Sequence, residues 1–227
     1  MKVAILQSNY IPWKGVFDMI NQVDVFVFFE DVDYTKRDWR TRNRIRSLNS
    51  DVWLSVPVKK APRGTKISEI RISQDSWRKK HKKSIIQSYC KAPYFEEYRY
   101  LLDDIYDRDW EFLSDFNIYT TKLLCKALGI ECHFVNSVDI QSSGKKDDKI
   151  LSICESVGAS EYISGPAAKD YIDASKFENR GIKLHYIDYS SYREYKQIHG
   201  GFDHFVSVLD LIFNCGGSAK DYIENKI

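Results

Sequence analysis

The first thirty residues restrict the fold of this chain more than any other segment. Residues 3–6 are a short apolar run, residues 16–20 have helical spacing, and residues 23–29 (VDVFVFF) have the strongest strand character in the chain. Parallel neighbouring strands need a long crossover connection, which is usually a helix, whereas a short hairpin can join antiparallel strands. The order strand, helix, strand is therefore typical of a parallel pair. Both runs are largely apolar, which is typical of strands that are buried on both faces. The sequence therefore predicts an α/β fold with a mostly parallel sheet.

The rest of the 227-residue chain continues to alternate strands and helices. Strand patterns recur at residues 52–58, 67–72, 130–135 and 182–187, and helical patterns occur at residues 76–128, 147–157 and 202–213. Repeats, linkers and low-complexity tracts do not interrupt this order. We therefore expect a single α/β domain over residues 1–227, with an inserted helical segment at about residues 76–128.

Composition limits the classes of function. The net charge of +2 is low for a nucleic-acid-binding protein, so nucleic acid is disfavoured as a partner. The five cysteines are scattered without a C-x-x-C pair, and metal-binding motifs are absent, which predicts reduced thiols and no metal site. The N-terminus lacks a signal-peptide pattern, and no apolar run approaches the roughly 20 residues of a membrane span. We expect a cytoplasmic protein without membrane insertion.

The segment QSNYIPWKG follows the first predicted strand directly, at residues 7–15. Open α/β sheets bind ligands at the carboxyl ends of their strands, where such loops enter helices. A glycine allows close approach of a ligand or backbone, and a lysine adds positive charge near a helix N-terminus. The structural alternative is that the aromatic residues cap the core and the glycine makes a turn. The predicted substrate-binding residues of this loop are Gln7, Asn9, Tyr10, Trp13, Lys14 and Gly15.

A basic segment follows the second predicted strand and should open on the same rim of the sheet. Between residues 36 and 46 there are six lysines and arginines but one acid, Asp38. Guanidinium groups bind phosphate or carboxylate bidentately, and aromatic rings can stack on a base or sugar. The alternative is a solvated basic loop. The predicted substrate-binding residues here are Tyr34, Arg37, Trp39, Arg40, Arg42 and Asn43.

Three further positions are candidates for chemistry. His81 lies four residues after Trp77 in the basic run WRKKHKK and has the residue type of a general base, although such a lysine-rich run is typical of a solvated helix face. Ser164 and Gly165 follow a strand pattern and can offer a hydroxyl and backbone N–H groups to an anion. Asp210 and Asn214, four residues apart on the last predicted helix, are interpreted as structural hydrogen-bond partners.

Several motifs together resemble the WbqC-like family of bacterial proteins. They are QSNYIPWKGVFD at residues 7–18, DVFVF at 24–28, KRDWRTRNRI at 36–45, YISGP at 162–166 and SVLDL at 207–211. The family is associated with O-antigen and other surface-polysaccharide genes, which implies work on activated sugars. The resemblance favours an enzyme that modifies a nucleotide-linked amino sugar, by acyl or aminoacyl transfer that forms an amide. In this hypothesis residues 37–44 bind the diphosphate, Trp39 or Tyr34 stacks, residues 7–15 hold the sugar, and His81 or Asp31 accepts the amine proton.

The start of the chain is also similar to nucleotidylyltransferase-like α/β enzymes, which implies a Rossmann-like topology. Ile163-Ser164-Gly165 is similar in place and kind to a phosphate-holding motif of that group, but Trp13-Lys14-Gly15-Val16 lacks both histidines of its H-x-G-H signature. An ATP-dependent ligase or nucleotidyltransferase, with Lys14 and Ser164-Gly165 holding ATP, is the alternative function. An RNA-binding module is a further alternative. The sequence assigns no cofactor and no oligomeric state.

Overall fold

Five parallel strands form the central sheet of the computed structural model, which describes residues 1–73 and 76–223. The strands of the chain are β1 (Lys2–Leu6), β2 (Val25–Phe28), β3 (Arg42–Ile45), β4 (Val52–Ser55), β5 (His133–Asn136), β6 (Glu161–Ser164) and β7 (Lys183–Tyr186). The helices are α1 (Lys14–Asn21), α2 (Trp77–Tyr89), α3 (Phe95–Tyr98), α4 (Tyr100–Tyr106), α5 (Leu113–Ala127), α6 (Asp147–Ser156), α7 (Ala174–Glu178) and α8 (Val208–Cys215).

The sheet has the strand order β5-β2-β1-β6-β7, and all four neighbouring pairs are parallel. β1 is central, and Val3 pairs with Val25 on one side and with Tyr162 on the other. The chain builds outward from β1 in one direction and then in the other, which is the order of a Rossmann-like sheet. The predicted α/β fold with a mostly parallel sheet is confirmed.

Both faces of the sheet are covered, as the apolar strand patterns indicate. Alternate side chains of one strand point to opposite faces. Val25 and Val27 therefore pack in one buried cluster, whereas Phe26 and Phe28 pack in a larger cluster on the other face. Helices α1, α2, α4, α5 and α8 contribute to the larger cluster, and α6 and α7 contribute to the smaller one.

Strands β3 and β4 form a separate antiparallel hairpin that carries much of the basic segment. The predicted strand at residues 67–72 is wrong, because residues 67–69 form a 3₁₀ helix and Arg71 and Ile72 make only isolated bridges. Ile67 and Ile70 are both fully buried, and their three-residue spacing suits a helical turn as well as an irregular strand. Glu69 also accepts a hydrogen bond from the Lys66 N–H at 3.1 Å, which stabilises the turn.

Helices α2 to α5 occupy the chain between β4 and β5. The last predicted helix, at residues 202–213, begins later than expected. α8 starts at Val208, because Ser207 caps it by accepting a hydrogen bond from the Leu209 N–H at 3.3 Å. Residues 187–207 have no helix or strand, and aromatic side chains of this long connection contact Trp13, α1 and α8.

The carboxylate of Asp210 joins three parts of the chain inside the core. It is fully buried and accepts hydrogen bonds from the hydroxyls of Tyr89 on α2, at 2.9 Å, and Tyr195 in the long connection, at 2.8 Å. Burial raises its pKa, while the two tyrosine hydrogen bonds oppose that shift. Asn214 donates to the Asp210 carbonyl oxygen at 2.7 Å, so the two residues are hydrogen-bond partners as interpreted from the sequence.

We expect Asp210→Ala to lower the free energy of unfolding by about 2–5 kcal/mol, because two buried hydroxyls lose their acceptor. Asp210→Asn should cost less, since its amide oxygen can still accept one of these bonds. Urea unfolding followed by circular dichroism measures both, with Asp170→Ala on the exposed surface as the control. A loss for Asp210→Ala no larger than that of the control would contradict this role.

Candidate functional site

The loop that leaves β1 at its carboxyl end is fixed from two sides. The Ser8 N–H donates to Glu30 Oε1 at 2.8 Å, and the Ser8 hydroxyl donates to Glu30 Oε2 at 3.1 Å. Glu30 follows β2, so this carboxylate ties together the chain after two neighbouring strands. Glu30 is fully buried, and this desolvation raises its pKa against the hydrogen bonds from Ser114 and Ser8 and the charge of Arg40.

The middle of the loop has an unusual backbone. Ile11 has φ of 33°, in the left-handed region that β-branched residues rarely adopt, and its side chain is fully buried. The Asn43 side-chain amide holds this bend by donating to the carbonyl oxygen of Ile11 at 2.8 Å and that of Tyr10 at 3.3 Å. Such strain persists only where surrounding contacts impose it, and it concentrates at functional sites.

Tyr10 points away from solvent into a buried hydrogen-bond network. Its hydroxyl lies 2.7 Å from His81 Nδ1 and 2.6 Å from the Tyr106 hydroxyl. Burial raises the pKa of both tyrosines, so both hydroxyls keep their protons at neutral pH. His81 is only 7% exposed, and Trp77 packs edge-on against its ring. The structure therefore gives His81 a contact that positions the loop, and its assignment as a general base stays a prediction.

On the solvent side, the loop and the β3–β4 hairpin enclose a cavity of about 260 Å³. Its wall is mostly apolar, and Trp39 is 53% exposed at the surface. Asn9 makes no side-chain hydrogen bond within residues 1–73 and 76–223, so its amide is available to a ligand. The residues that line this aromatic cavity are Asn9, Pro12, Trp13, Trp39, Asn43 and Phe205.

The Trp13 indole depends on the absence of a side chain at Gly15. A Cβ atom at Gly15 would lie 2.2 Å from Cζ2 of Trp13. The indole is packed against Tyr189 and Phe205 of the long connection, with ring centroids 4.8 and 5.2 Å away. The close approach predicted at Gly15 is therefore made by this neighbouring side chain.

Lys14 is enclosed and is not among the residues that line the cavity. It is 2% exposed, its Nζ donates to the Arg193 carbonyl oxygen at 3.4 Å, and it lies 4.6 Å from the centre of the Tyr192 ring. Burial lowers its pKa to about 8, although the charges of Cys215 and Asp18 act in the opposite direction. The sequence prediction that Lys14 contacts a substrate stays a prediction.

The arginines of the basic segment separate into two groups. Arg40 pairs with Asp38, and Arg44 pairs with Asp51 at 2.7 Å and Asp203 at 2.6 Å. Arg46 lies 3.7 Å from Asp51, so these three guanidinium groups already hold acidic partners. Tyr34, Arg37 and Arg42 instead line a second, open cleft beside the hairpin.

The remaining predicted residues line neither the cavity nor this cleft. Asp31 accepts a hydrogen bond from the Ser137 hydroxyl at 2.6 Å and forms an ion pair with Lys149. Ser164 is buried at the end of β6, with its Oγ 3.3 Å from the Tyr162 hydroxyl. Gln7 and Gly165 are half-buried at the carboxyl ends of β1 and β6. The structure thus brings together Asn9, Trp13, Trp39 and Asn43 in one place and Tyr34, Arg37 and Arg42 in another.

Sequence reasoning missed Phe205, Glu30 and the lysine pair Lys59-Lys60, which line or support these two places. Glu30 directly follows the second strand pattern, and its position at the carboxyl end of a predicted strand is a signal that could identify it. The adjacent lysines were visible as a charge pair without an acid beside them. Phe205 had no local signal, because it lies in an irregular segment that reaches the cavity only through the fold.

Residues 1–73 and 76–223 contain neither a metal-binding cluster nor a membrane-spanning helix. No group of three or more histidine, cysteine, aspartate or glutamate side chains has a geometry that could hold a metal ion. No helix in the same ranges combines the length and apolar character needed to cross a membrane.

We expect Gly15→Ala to displace the Trp13 indole and to lower the free energy of unfolding by about 1–3 kcal/mol, as overpacking does. Near-ultraviolet circular dichroism and urea unfolding report the two effects. Gly217→Ala is the control, because a Cβ there meets no atom within 4 Å. An unchanged aromatic spectrum together with unchanged stability would contradict the described packing.

Glu30→Gln should change how stability depends on pH. The folded-state pKa of Glu30 is raised, so the folded protein holds its proton more tightly than the unfolded chain. The stability from this group is complete below the unfolded pKa of about 4.5 and is lost as pH rises through the folded pKa. The variant should therefore gain stability relative to the native protein as pH rises from 4 to 8, by about 1.4 kcal/mol per unit of pKa shift.

Urea midpoints of both proteins across this pH range measure the difference, with Glu178→Gln on the exposed surface as the control. A difference that does not vary with pH would show that Glu30 titrates alike in the folded and unfolded chains.

Comparisons with known proteins agree with the motif pattern. The model of the WbqC-like protein family matches residues 7–222. A protein of Mycobacterium tuberculosis (strain ATCC 25618 / H37Rv), described as "Uncharacterized protein Rv1507c", is 42% identical over 224 residues, covering 98% of this chain and 97% of the relative. No solved structure shows a significant match. The chain belongs to the WbqC-like protein family.

Proposed function

We propose that this protein transfers an acyl or aminoacyl group to the amine of a nucleotide-linked amino sugar and forms an amide. The amine nitrogen bonds to the donor's carbonyl carbon, the bond from that carbon to the leaving group breaks, and the amine nitrogen loses a proton. The observation that carries the proposal is the aromatic cavity at the carboxyl edge of the parallel sheet, where folds of this kind bind ligands.

The size and wall of the cavity favour one ring of a larger substrate. Its volume of about 260 Å³ lies below the roughly 300–1,000 Å³ of pockets that hold drug-sized ligands. Trp13, Trp39 and Phe205 offer faces on which the apolar side of a sugar ring can pack. The free amide of Asn9 adds a donor and an acceptor that can orient hydroxyl groups or the amine.

Positioning is the main catalytic contribution that this arrangement can make. No titratable side chain is among the described residues that line the cavity. Holding an amine and an activated carbonyl group in contact can by itself supply a large part of a rate enhancement. Asn43 uses its amide to hold residues 10–11, so the cavity wall is rigid before a ligand enters. The rigid wall supports a role in alignment. His81 and Asp31 line neither the cavity nor the cleft, so their assignment as proton acceptors stays a separate prediction on which this proposal does not depend.

The test combines purified protein with a panel of nucleotide-linked amino sugars and activated acyl donors, such as thioesters. Mass spectrometry should detect a product heavier by one acyl group. Trp39→Ala should lower kcat/KM about tenfold, equal to about 1.4 kcal/mol, because it removes one stacking face. Tyr171→Ala is the control, since that ring is 60% exposed and lines neither the cavity nor the cleft.

Two results would overturn the proposal. One is the absence of both binding and amide product across the whole panel. The other is an equal effect of Trp39→Ala and Tyr171→Ala on the measured transfer.

A further inference from the structure

An open cleft of about 550 Å³ lies beside the β3–β4 hairpin and contains five cationic side chains. Three come from the basic segment after β2 and two from the chain after β4, so the fold brings together charges about 20 residues apart. The other lining residues are hydroxyl-bearing or apolar, and none of the described ones is acidic. The cations of this cationic cleft are Lys36, Arg37, Arg42, Lys59 and Lys60.

These cations lack the acidic partners that neighbouring arginines have. Within residues 1–73 and 76–223, none of the five forms an ion pair. The nearest acid in sequence, Asp38, is engaged by Thr35 and Arg40. Five like charges around one concavity repel one another, and an anion between them removes that repulsion.

Local contacts constrain parts of the chain that line the cleft. The Lys59 N–H donates to the Arg71 carbonyl oxygen at 2.9 Å, and Val58 forms a bridge with Ile72, so the lysine segment is pinned. Arg37 has φ of 60°, a left-handed conformation that is uncommon outside glycine. The Arg42 guanidinium stacks on the Trp53 ring at 4.9 Å, which orients its planar group.

Successive residues of β3 line the cationic cleft and the aromatic cavity, on opposite sides of the strand. Arg42 lines the cleft and the next residue, Asn43, lines the cavity, because successive side chains of β3 point to opposite sides. Trp39 of the cavity stacks on Trp53, with ring centroids 5.8 Å apart, and Trp53 carries Arg42 on its face. The Trp39–Trp53 pair therefore links the cavity to the cleft, and a ligand that occupied both would cross this pair.

We propose that the cationic cleft binds the diphosphate group of a nucleoside diphosphate. The inference rests on the proposed function in one respect, since the sugar attached to that diphosphate would enter the aromatic cavity. A diphosphate carries two to three negative charges in a compact group, which matches several cations converging on one concavity. A nucleic-acid backbone would need a basic track across the surface, whereas the whole chain has a net charge of only +2.

The experiment measures binding of inorganic pyrophosphate and uridine diphosphate to the full chain by isothermal titration calorimetry. Lys59→Gln/Lys60→Gln should weaken binding of both probes by at least tenfold, and higher salt should weaken binding to the native protein. The matched control is Lys79→Gln/Lys80→Gln on α2, which removes the same two charges from an exposed helix outside the cleft. The control should bind both probes as the native protein does.

Arg37→Gln gives a second, independent variant, in the other chain segment that lines the cleft. It should also weaken pyrophosphate binding, while circular dichroism reports whether each variant remains folded. Failure of the native protein to bind millimolar pyrophosphate or uridine diphosphate would overturn the site. Equal losses in the cleft and control lysine variants would also overturn it, because binding would then follow net charge alone.

A short single-stranded RNA that binds more tightly than uridine diphosphate, with the same dependence on Lys59 and Lys60, would replace this assignment with a nucleic-acid surface. The diphosphate site and the proposed transfer can fail separately. Pyrophosphate binding that depends on the cleft, without any amide product, would leave the site standing and exclude the transfer reaction. Amide formation that is unaffected in the cleft variants would keep the transfer and exclude this site.

Discussion

The candidate site depends on how the chain satisfies its polar groups after leaving the central strand. β1 pairs on both sides, so the loop after it emerges at the rim among buried side chains. Buried backbone N–H and carbonyl groups need partners, and water is scarce there. Glu30 supplies an acceptor to Ser8, and Asn43 supplies a donor to Tyr10 and Ile11. These two side chains come from the chain beyond β2, so the shape of the loop depends on contacts with residues distant in sequence.

This dependence explains why the loop combines strain with rigidity. Ile11 adopts its left-handed backbone while Tyr10 is held from below by His81 and Tyr106. Trp13 lies over Gly15, with the long connection packed against it. The polar and aromatic residues of the loop after β1 therefore have two different roles. Tyr10 and Lys14 point into the protein, whereas Asn9 and Trp13 form the surface that a ligand would meet.

Electrostatic roles divide within the basic segment in a similar way. Arg40, Arg44 and Arg46 compensate acids and hold the hairpin to its surroundings, as the contact of Arg44 with Asp203 shows. Arg42 lies between them in sequence but stacks on Trp53 at the cleft. All four residues are arginines, so their position in the fold decides which of them form ion pairs and which one lines the cleft. A side chain in a structural ion pair can bind a ligand only if that pair breaks, which costs free energy. A cationic side chain without such a partner can bind an anion without this cost.

The sequence by itself determined the fold class, the placement of β1, α1 and β2, and the family, because apolar runs and local motifs carry these signals. It also located both chemically rich loops, since each follows a buried strand. Local pattern misplaced the strand at residues 67–72 and the start of α8, where a three-residue apolar spacing and a serine cap decided the outcome. Only the tertiary structure decided which arginines pair with acids, that Phe205 reaches the cavity, and that Lys59 and Lys60 line one cleft with Arg37. Those outcomes depend on contacts between segments far apart in the chain, and such contacts leave no periodic trace in the sequence.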